Sequence, residues 1–459
     1  MQPNDLSFLN DLRTNFQSGV TKTYAFRKQQ LLNLKAAILQ FENDLYTALE
    51  ADLKKSREEA WVTEIGMVVA EINHALHHLK NWIKPKIVGT NLANLPSSSK
   101  IYAEPWGVVL IIAPWNYPVQ LLLSPLVGTI AAGNVAVVKP SEFAEASANV
   151  LQKIIDTTFS KNYIACIQGD GAVVVPALIR SFTFDYIFYT GSTAVGKIIY
   201  KMAAENLVPV TLELGGKSPC LVDKDANIAV AAKRIAVTKF SNCGQMCVAP
   251  DYVMVHQSVY DAFVQELKKV IQQFFLDDAA SSPDYGKMIN EKQWNRVVGY
   301  LEQGTVLEGG TFQKEDLYIA PSLLAVTDLN GAVMKEEIFG PVLPVIPFHT
   351  PEEVDNIISA NPNPLAFYVF TQSQKNAEDW IQKIPSGGAC INNASWHLTN
   401  PNLPFGGRGA SGIGLYHGKY SFDTFSHKKA VMQTPVWFDP AIKYPPFKGK
   451  LKLFKWLIR

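Results

Sequence analysis

Residues 108–139 read VVLIIAPWNYPVQLLLSPLVGTIAAGNVAVVK, and this stretch decides the fold class. Residues 108–112 and 135–138 are short runs of valine, isoleucine, leucine and alanine, which is typical of strands buried on both faces of a sheet. Farther along the chain, similar short runs alternate with segments whose length and periodicity predict helices. The alternation favours a parallel β-sheet with helices on both faces, and therefore an α/β fold.

The same alternation continues on both sides of the Gly215-Gly216 pair. Before this pair, the pattern predicts strands at 164–167, 185–189 and 208–212, and helices at 144–159, 173–180 and 193–206. After it, the pattern predicts strands at 220–222, 252–255, 342–347 and 366–370, and helices at 228–240 and 259–275. The restart predicts two α/β domains with a boundary near Leu214. The first quarter of the chain is predicted to be helical, with one helix at about 58–82.

The composition excludes several classes of protein. Hydrophobic residues make up 47% of the 459 residues and charged residues 18%, which is incompatible with a fully disordered chain. The 42 basic and 41 acidic residues nearly balance, which argues against a nucleic-acid partner. Five cysteines and a start without a signal-peptide pattern predict a cytoplasmic protein without a disulfide framework.

Two generic motifs carry little weight. Residues 407–412 match G-x-G-x-x-G, but they follow Pro404-Phe405 instead of a predicted strand, so a loop is the favoured interpretation. His74 and His78 have the spacing of zinc ligands on a helix, but Ala75 occupies the position of the glutamate in H-E-x-x-H. No metal site is therefore predicted.

Two other stretches could carry chemistry. Residues 190–197, TGSTAVGK, follow a predicted strand and open a predicted helix, where free backbone N–H groups can bind an anion. Cys247 lies in a loop between a predicted helix and a predicted strand, and a nucleophilic thiolate there needs a nearby base. Glu213, at the end of another predicted strand, is a candidate for that base.

Together these residues belong to a longer set of motifs. They are PWNYP (114–118), GNVAVVKPSE (133–142), YTGST (189–193), LELGGKSP (212–219), GQMCVAPDYV (244–253), EEIFGPVLP (336–344) and PFGG…SGIG…HGKYSFDTFSH (404–427). In this order and over nearly the whole length, they resemble the NAD(P)-dependent aldehyde dehydrogenase superfamily, most closely its class 3 branch of fatty- and aromatic-aldehyde dehydrogenases. The resemblance implies oxidation of an aldehyde to a carboxylate through a cysteine thiohemiacetal and a thioester.

The resemblance implies a role for each catalytic residue. Cys247 matches the nucleophile, and the side-chain amide of Asn116 with the backbone N–H of Cys247 matches the oxyanion hole. Glu213 matches the base that activates the hydrolytic water. Two alternatives stay open at this stage: a cysteine-dependent thioester hydrolase or acyl transferase, and a non-enzymatic protein that retains the fold.

The resemblance also implies a coenzyme, with NAD favoured and NADP tolerated. A carboxylate at Glu142 favours the free 2′-hydroxyl of NAD and repels the 2′-phosphate of NADP. The residues that match cofactor-binding positions are Trp115, Lys139, Glu142, Gly191, Ser192, Glu337 and Phe339. Tyr117 follows Asn116 and is expected to contact the substrate, for which long aliphatic, aromatic or apocarotenoid-like aldehydes are favoured over acetaldehyde.

The implied fold is aldehyde dehydrogenase-like. It combines a Rossmann-type coenzyme domain, with a five-stranded sheet, and an α/β catalytic domain with a small β bridging element that mediates homodimer formation. The predicted limits are 1–87 and 104–213 for the coenzyme-binding domain, 214–393 for the catalytic domain, 88–103 and 394–436 for the bridging element, and 437–459 for a tail.

Two further features lie outside the family motifs. Cys243 stands four residues before Cys247, and we hypothesise a reversible disulfide between them, against the simpler interpretation of an inert small residue. From residue 443 to 459 the chain has six basic and no acidic residues, interleaved with apolar ones. This pattern suits peripheral contact with an anionic membrane surface, and docking on a partner subunit is the alternative.

Overall fold

The computed structural model describes residues 6–276 and 278–458. Its strands form a six-stranded sheet, a seven-stranded sheet, a three-stranded sheet and a two-stranded ribbon. Helices flank the two large sheets, so the predicted α/β class is confirmed.

The strands, numbered in chain order, are β1 Lys86–Val88, β2 Ser98–Pro105, β3 Val108–Ile112, β4 Val135–Lys139, β5 Ile164–Cys166, β6 Tyr186–Thr190, β7 Val210–Glu213, β8 Pro219–Val222, β9 Tyr252–His256, β10 Thr305–Glu308, β11 Phe312–Gln313, β12 Tyr318–Ile319, β13 Ser322–Ala325, β14 Val342–Phe348, β15 Ala366–Phe370, β16 Gly388–Ile391, β17 Gly412–Ile413 and β18 Ser426–Gln433.

The α-helices are α1 Phe8–Gln17, α2 Tyr24–Gln40, α3 Glu42–Leu53, α4 Arg57–Ala60, α5 Gly66–Trp82, α6 Gln120–Ala132, α7 Glu145–Thr158, α8 Gly171–Ser181, α9 Thr193–Ala204, α10 Ile228–Phe240, α11 Tyr260–Phe275, α12 Glu291–Val298, α13 Ala332–Lys335, α14 Pro351–Ser359, α15 Gln374–Lys383, α16 Lys419–Thr424 and α17 Leu451–Leu457. Short 3₁₀ turns lie at Val20–Lys22, Leu92–Asn94, Gln257–Val259, Leu301–Gln303, Trp396–Thr399, Gly409–Ser411 and Ala441–Lys443.

The six-stranded sheet has the order β17-β7-β6-β3-β4-β5. Five of its strands are parallel, and every residue of β3, β4 and β6 is buried, because helices cover both faces. The resemblance implied a five-stranded sheet for the coenzyme domain, whereas this sheet has six strands. The sixth strand, β17, runs antiparallel to β7 and places Gly412 opposite Glu213. It has two residues and comes from near the end of the chain, so no local pattern indicated it.

Helix α6 connects β3 to β4 and is buried along its whole length. It packs against α2 and α5, which come from the predicted helical first quarter of the chain. The helix ends at Gly133, whose φ of 92° lies in the left-handed region that glycine adopts without strain. Asn134 then accepts the N–H of Gly107 and donates to the carbonyl of Phe425, which ties this turn to the C-terminal part of the chain.

The seven-stranded sheet has the order β10-β13-β14-β9-β8-β15-β16. All neighbouring pairs are parallel except the edge pair of β10 with β13. The chain passes from β7 of the first sheet to β8 of the second through residues 214–218. The two large sheets therefore lie on either side of the predicted boundary near Leu214, while the limits proposed for each domain stay a prediction.

The three-stranded sheet has the order β1-β2-β18 and is antiparallel. Strands β2 and β18 pair along eight residues, from Ser98 opposite Gln433 to Pro105 opposite Ser426. These strands fall largely within the segments that were assigned to the bridging element. Within the part of the chain described, no helix is both long enough and apolar enough to cross a membrane.

One predicted helix differs from the structure in an informative way. Residues 58–82 do not form a continuous α-helix, because a π-helical turn at Trp61–Ile65 separates α4 from α5. The N–H of Gly66 bonds to the carbonyl of Trp61, and a β-carbon at Gly66 would lie 2.7 Å from that carbonyl oxygen. Such turns insert one extra residue into a helix and are frequent at functional sites.

Candidate active site

Three strand ends of the six-stranded sheet meet at one edge. Strand β3 is followed by the segment that carries Asn116, β6 ends at Thr190, and β7 ends at Glu213. Cys247 approaches from the other sheet, in the loop between α10 and β9. Because the carboxyl ends of parallel strands share an edge, the fold brings Asn116, Glu213 and Cys247 into one site, as the sequence predicted.

A cavity of about 580 Å³ leads to Cys247 from one side. Its walls are largely apolar and come from the π-helical turn, α6, α10 and the segment 395–417. Tyr117, the predicted substrate contact, lies in this wall. Other lining residues are Val62, Met67, Leu121, Val237, Met246, Leu398, Phe405 and Tyr416.

A second cavity, of about 270 Å³, reaches Cys247 from the opposite side. It is lined by the predicted cofactor residues Trp115, Gly191, Ser192, Glu337 and Phe339, together with Asn116, Gln293 and Arg296. The two cavities share the lining residues Leu121, Thr190, Glu213, Leu214 and Cys247. The cysteine and the carboxyl group therefore stand at the junction of an apolar cavity and a more polar one.

The loop before Cys247 has an unusual backbone. Asn242 and Cys243 have φ values of 49° and 53°, and Gly244 follows at 72°, so three successive residues are left-handed. For residues with a β-carbon this conformation costs about 1–3 kcal/mol each and persists only when the surroundings enforce it. Gln245 provides part of that enforcement, since it donates to the carbonyls of Asn242 and Lys287 and accepts the N–H of Ile289.

The thiol of Cys243 lies in an apolar pocket of this loop. Its Sγ atom is 3.8 Å from Tyr285 Oη and 3.9 Å from Met288 Sδ, and the residue is fully buried. Burial raises the pKa of the Cys243 thiol to about 12. These surroundings favour the interpretation as an inert core residue over the hypothesis of a disulfide with Cys247.

Asn116 is buried and held at both its backbone and its side chain. Its backbone carbonyl accepts hydrogen bonds from Lys55 Nζ at 3.0 Å and from Asn242 Nδ2 at 2.8 Å. Its side-chain Nδ2 donates to the carbonyl of Gln245 at 3.0 Å. A primary amide carries two N–H groups, so the residue retains a second donor at the wall of the cavity.

Glu213 is buried, and neither of its carboxyl oxygens has a hydrogen-bond partner among the described residues. Burial alone raises the pKa of this carboxyl well above its ordinary value. Burial is also the main cause that raises the pKa of the Cys247 thiol to about 12, with the charges of Glu337 and Glu213 acting in the same direction. The thiol of Cys247 is therefore protonated near neutral pH.

Glu337 lies in the second cavity, and Arg296 fixes its backbone. Arg296 donates to the carbonyls of Glu337 and Ile338 at 3.0 and 2.8 Å. Burial, with the charge of Asp251, raises the pKa of Glu337 to about 8. One of its carboxyl oxygens, Oε1, is buried without a partner among the described residues, so it is available to a ligand.

The second cavity suits the nicotinamide end and the pyrophosphate of a dinucleotide coenzyme. Thr190 Oγ1 and Glu337 Oε1 are both buried there without a hydrogen-bond partner among the described residues, as expected of groups that bind a polar ligand. Gly191 precedes Ser192, whose hydroxyl caps the twelve-residue helix α9 by accepting the N–H of Val195. Backbone N–H groups at such a helix start suit a pyrophosphate.

Aromatic rings close one wall of this cavity. The rings of Trp115 and Phe339 meet edge to face, with centroids 5.3 Å apart. Phe339 has a φ of 48°, so this ring is also carried on a left-handed residue. Both rings line the second cavity together with Glu337.

Lys139 and Glu142 line a separate part of the same sheet edge. Glu142 forms an ion pair with Lys139, and its Oε1 accepts the N–H of Gly171 at 2.7 Å. Partial burial opposes ionisation, but Lys139 and the N–H group of Gly171 hold the pKa of Glu142 below its ordinary value. A cavity of about 510 Å³ is lined by Glu142, Glu145 and Asp170, with Pro140 and Phe143. Its acidic character suits a ribose with free hydroxyl groups.

The sequence did not indicate most of the walls of the apolar cavity. Val62 and Thr63 belong to the π-helical turn, Val237 and Thr238 to α10, and Leu398 to the segment after β16. These residues come from three distant parts of the chain and have no common motif. The amphipathic periodicity of residues 58–82 was a signal for a helix, but not for which face would line a cavity.

The fold and the two-cavity site define a dinucleotide-dependent oxidoreductase of the α/β class. The sequence model described as the aldehyde dehydrogenase family matches residues 13–431. The chain belongs to the aldehyde dehydrogenase family. The predictions of an aldehyde-oxidising enzyme and of an NAD(P) coenzyme are thereby confirmed.

Individual relatives extend over almost the full length of the chain. The 4,4'-diaponeurosporen-aldehyde dehydrogenase of Staphylococcus aureus is 46% identical and covers 97% of both chains. Aldehyde dehydrogenase family 3 member A2 of Rattus norvegicus is 42% identical over 95% of this chain and 90% of its own, which agrees with the predicted class 3 branch. A solved structure of a substrate-bound Staphylococcus aureus AldH superposes with a TM-score of 0.96, at 45% identity and 99% coverage of both chains.

The raised pKa of Cys247 gives a first prediction. In the coenzyme-free protein, the rate at which iodoacetamide alkylates Cys247 should rise by about tenfold per pH unit between pH 7 and pH 9, because only the thiolate reacts. Peptide mass spectrometry measures the rate at this residue. Cys243→Ser is the control and should leave the profile unchanged, while a flat profile would contradict the protonated resting state.

Proposed function

We propose that the chain oxidises long apolar aldehydes, including apocarotenoid-type aldehydes, to carboxylates at Cys247. The observation that carries the proposal is the position of Cys247, at the junction of the apolar cavity and the cavity that fits the dinucleotide. A cavity of about 580 Å³ with few polar groups favours an extended hydrocarbon over acetaldehyde. The name of the Staphylococcus aureus relative supports a terpenoid-chain aldehyde.

In the proposed reaction, Cys247 attacks the aldehyde carbon after its thiol has lost a proton. The oxygen of the aldehyde then gains negative charge, and the free N–H of the Asn116 side chain, together with the backbone N–H of Cys247, stabilises it as an oxyanion hole. These donors are fixed before the substrate binds, since Asn116 is held by Lys55, Asn242 and Gln245. The product of this step is a thiohemiacetal on Cys247.

Glu213 is the proposed base. Burial without a partner among the described residues raises the pKa of this carboxyl, so its ionised form is a stronger base than an ordinary carboxylate. In that form it can take a proton from Cys247 and later from the water that hydrolyses the thioester. The residue is at the wall of both cavities, as these two tasks require. Its backbone position at the end of β7 is fixed by pairing with β6 and β17.

The coenzyme is proposed to lie along the sheet edge. Glu142, held by its ion pair with Lys139, binds the adenosine ribose. Gly191 and Ser192 bind the pyrophosphate, with Trp115 beside it, and Glu337 and Phe339 bind the nicotinamide end. When bound there, NAD supplies a hydride acceptor. The thioester hydrolase alternative explains Cys247 and Glu213 equally well, but it gives no role to the unsatisfied Glu337 and Thr190.

An aldehyde panel tests the proposal. With saturating NAD, kcat/KM for decanal should exceed that for acetaldehyde by about a hundred-fold or more, because each methylene buried in the apolar cavity stabilises the bound state by about 0.8 kcal/mol and about four buried methylenes already suffice. NADH absorbance measures the rate, and retinal is the polyene-aldehyde probe. A higher kcat/KM for acetaldehyde than for decanal would contradict the proposed substrate class.

Two variants test the chemistry in the same assay. Cys247→Ala should abolish NADH formation, and Glu213→Gln should lower kcat by about a hundred-fold or more, because glutamine has the same shape and is not a base. Bound NADH, followed by its fluorescence, should be retained in both proteins. Normal turnover in either variant would show that the assigned roles are wrong.

The proposed preference for NAD over NADP rests on Glu142. Its carboxylate is ionised and faces a cavity with two further acidic residues, so a 2′-phosphate would meet negative charge. We expect kcat/KM for NAD to exceed that for NADP by about tenfold or more, and Glu142→Gln to narrow this ratio. A ratio that Glu142→Gln leaves unchanged would contradict the electrostatic explanation.

We further propose a homodimer. Strand β18 is exposed along most of its length and pairs only through one edge, with β2, among the described residues. Strand β16 likewise forms an outer edge of the seven-stranded sheet. Such edges carry unpaired backbone groups, and a second copy of the chain that added a strand to them would satisfy these groups. Light scattering should give twice the chain mass.

The cytoplasmic location and the membrane contact also remain proposals. All five cysteines are free, which is compatible with a reducing compartment. In the tail, large apolar side chains are exposed: Trp437 at 77%, Trp456 at 62% and Ile458 at 78%. Lys450 donates to carbonyls of Ala441 and Tyr444, so the tail folds on itself while its lysines and apolar groups remain at the surface. An anionic membrane surface matches this combination.

Vesicle sedimentation tests the membrane contact. The full chain should bind vesicles containing phosphatidylglycerol and bind those of phosphatidylcholine alone more weakly, with binding weakened by salt. Deletion of residues 448–459 should abolish the binding and leave kcat/KM for soluble aldehydes unchanged. If the deletion leaves vesicle binding intact, the proposal fails; if it dissociates the dimer instead, the tail docks on the partner subunit.

A further inference from the structure

The segment from Lys55 to Glu64 carries three charged side chains that hydrogen-bond to the segments of the site without being in any of the family motifs quoted above. Lys55 and Glu64 are fully buried, and their ion pair has an Nζ–Oε1 distance of 2.7 Å. Glu59 lies between them in sequence, on α4. A buried charge is costly unless it is paired and hydrogen-bonded, so its partners identify what it holds.

Glu64 holds the start of α6. Its Oε2 accepts the N–H groups of Val119 and Gln120, both at 2.9 Å. These are the first backbone donors of that helix, which have no partner within it, and a carboxylate is the favoured group at a helix N-terminus. Glu64 therefore fixes the segment that follows Asn116.

Lys55 holds Asn116 itself. In addition to Glu64, its ammonium group donates to the carbonyl of Asn116 at 3.0 Å, and it lies 3.8 Å from the centre of the Tyr117 ring. Lys55 and Glu64 thus hydrogen-bond to the backbone at both ends of the segment 116–120. The contact with Lys55 fixes the backbone of Asn116, from which its side-chain amide reaches the carbonyl of Gln245.

Glu59 holds the loop that carries Cys247. Its Oε1 accepts the N–H of Asn242 at 2.7 Å and the hydroxyl of Ser241 at 2.8 Å. Asn242 is the first left-handed residue of the loop, and its side chain donates to the carbonyl of Asn116. One carboxylate thereby supports the strained turn at its start.

The π-helical turn explains how one short segment reaches both sides. Glu59 and Glu64 are five residues apart, which in an α-helix would turn them away from each other by about 140°. The turn at Trp61–Ile65 has five-residue backbone hydrogen bonding instead, which brings residues at this spacing towards the same face. Both glutamates consequently reach segments that contact each other through Asn242 and Asn116.

We propose that Glu59 and the buried pair Lys55–Glu64 are positioning residues that set Cys247 and the Asn116 amide against each other for reaction. Lys55 and Glu59 precede the π-helical turn, and Glu64 lies within it. This inference rests on the proposed function, since it acts through the roles given there to Cys247 and Asn116. It assigns no contact with the substrate to Lys55 or Glu64.

Glu59 is tested by a pair of variants. Glu59→Gln retains an oxygen that accepts both hydrogen bonds, so kcat for decanal should stay within about threefold of the wild type. Glu59→Ala removes the acceptor, and kcat should fall by about ten- to a hundred-fold with NADH binding unchanged. Glu50→Ala, an exposed glutamate on α3, is the control for the loss of a carboxylate. Equal kcat values for Glu59→Gln and Glu59→Ala would overturn this half of the proposal.

Lys55 and Glu64 are changed together to methionine, because removal of one partner would leave an unpaired buried charge and unfold the protein. K55M/E64M should lower kcat by about ten- to a hundred-fold, while the rate of Cys247 alkylation by iodoacetamide stays at the wild-type value. Glu59→Ala, in contrast, should change the rate at which iodoacetamide alkylates Cys247, relative to the wild type. Wild-type kcat in K55M/E64M with a lowered melting temperature would mean that the pair is merely structural.

The Asn116→Ala variant tests whether the Lys55–Glu64 pair acts through the Asn116 amide. If the pair acts through the Asn116 amide, K55M/E64M should have no further effect on kcat when that amide is already absent. If K55M/E64M lowers kcat by the same factor in the Asn116→Ala background as in the wild type, the inference is wrong. If K55M/E64M does not fold, the Glu59 variants still decide whether the charged groups of this segment act as positioning residues. Failure of the proposed function would be seen separately, as normal turnover in Cys247→Ala or Asn116→Ala.

Discussion

The burial of ionisable groups at the junction between the two large sheets is the constraint on which the site depends. Cys247, Glu213 and Glu337 all lie there, and burial is the main cause of the raised pKa of each. A buried polar group without a partner costs about 1–3 kcal/mol, and Glu213 lacks a partner for both of its carboxyl oxygens among the described residues. This cost falls where the apolar cavity meets the second cavity.

Hydrogen-bonded clusters fix the segments that carry the site residues. Lys217 forms an ion pair with Asp251 at 2.5 Å and donates to the carbonyls of Val333 and Glu336, while Asp251 accepts the N–H of Ile338. This cluster fixes the segment of Glu337 much as Gln245 fixes the loop of Cys247. Rigid, hydrogen-bonded walls around a few unsatisfied groups keep those groups available to ligands, because the protein cannot relax to satisfy them itself.

The sequence predicted those parts of the fold that depend on local pattern. Strands 108–112 and 366–370 and helix 228–240 have their predicted bounds, since apolar runs and helical periodicity mark them directly. The short strand Gly412–Ile413 and the left-handed turn at Asn242 depend on distant partners, so no local signal marks them. The site residues were named through motifs, and the structure brings Cys247, Glu213 and Asn116 together. The apolar walls escaped prediction because they combine three separate segments.

The π-helical turn has a consequence for how this protein can vary. Loops on the surface tolerate insertions and deletions because they are not packed in the core. The turn at Trp61–Ile65 gives a helix a similar tolerance, since its one extra residue is taken up in a single widened turn. Loss of that residue would restore a regular helix and leave the apolar face of α5, with Val68, Ile72 and Leu79, in the core. The extra residue therefore alters the wall of the apolar cavity, where Val62 and Thr63 lie, without moving the rest of the helix.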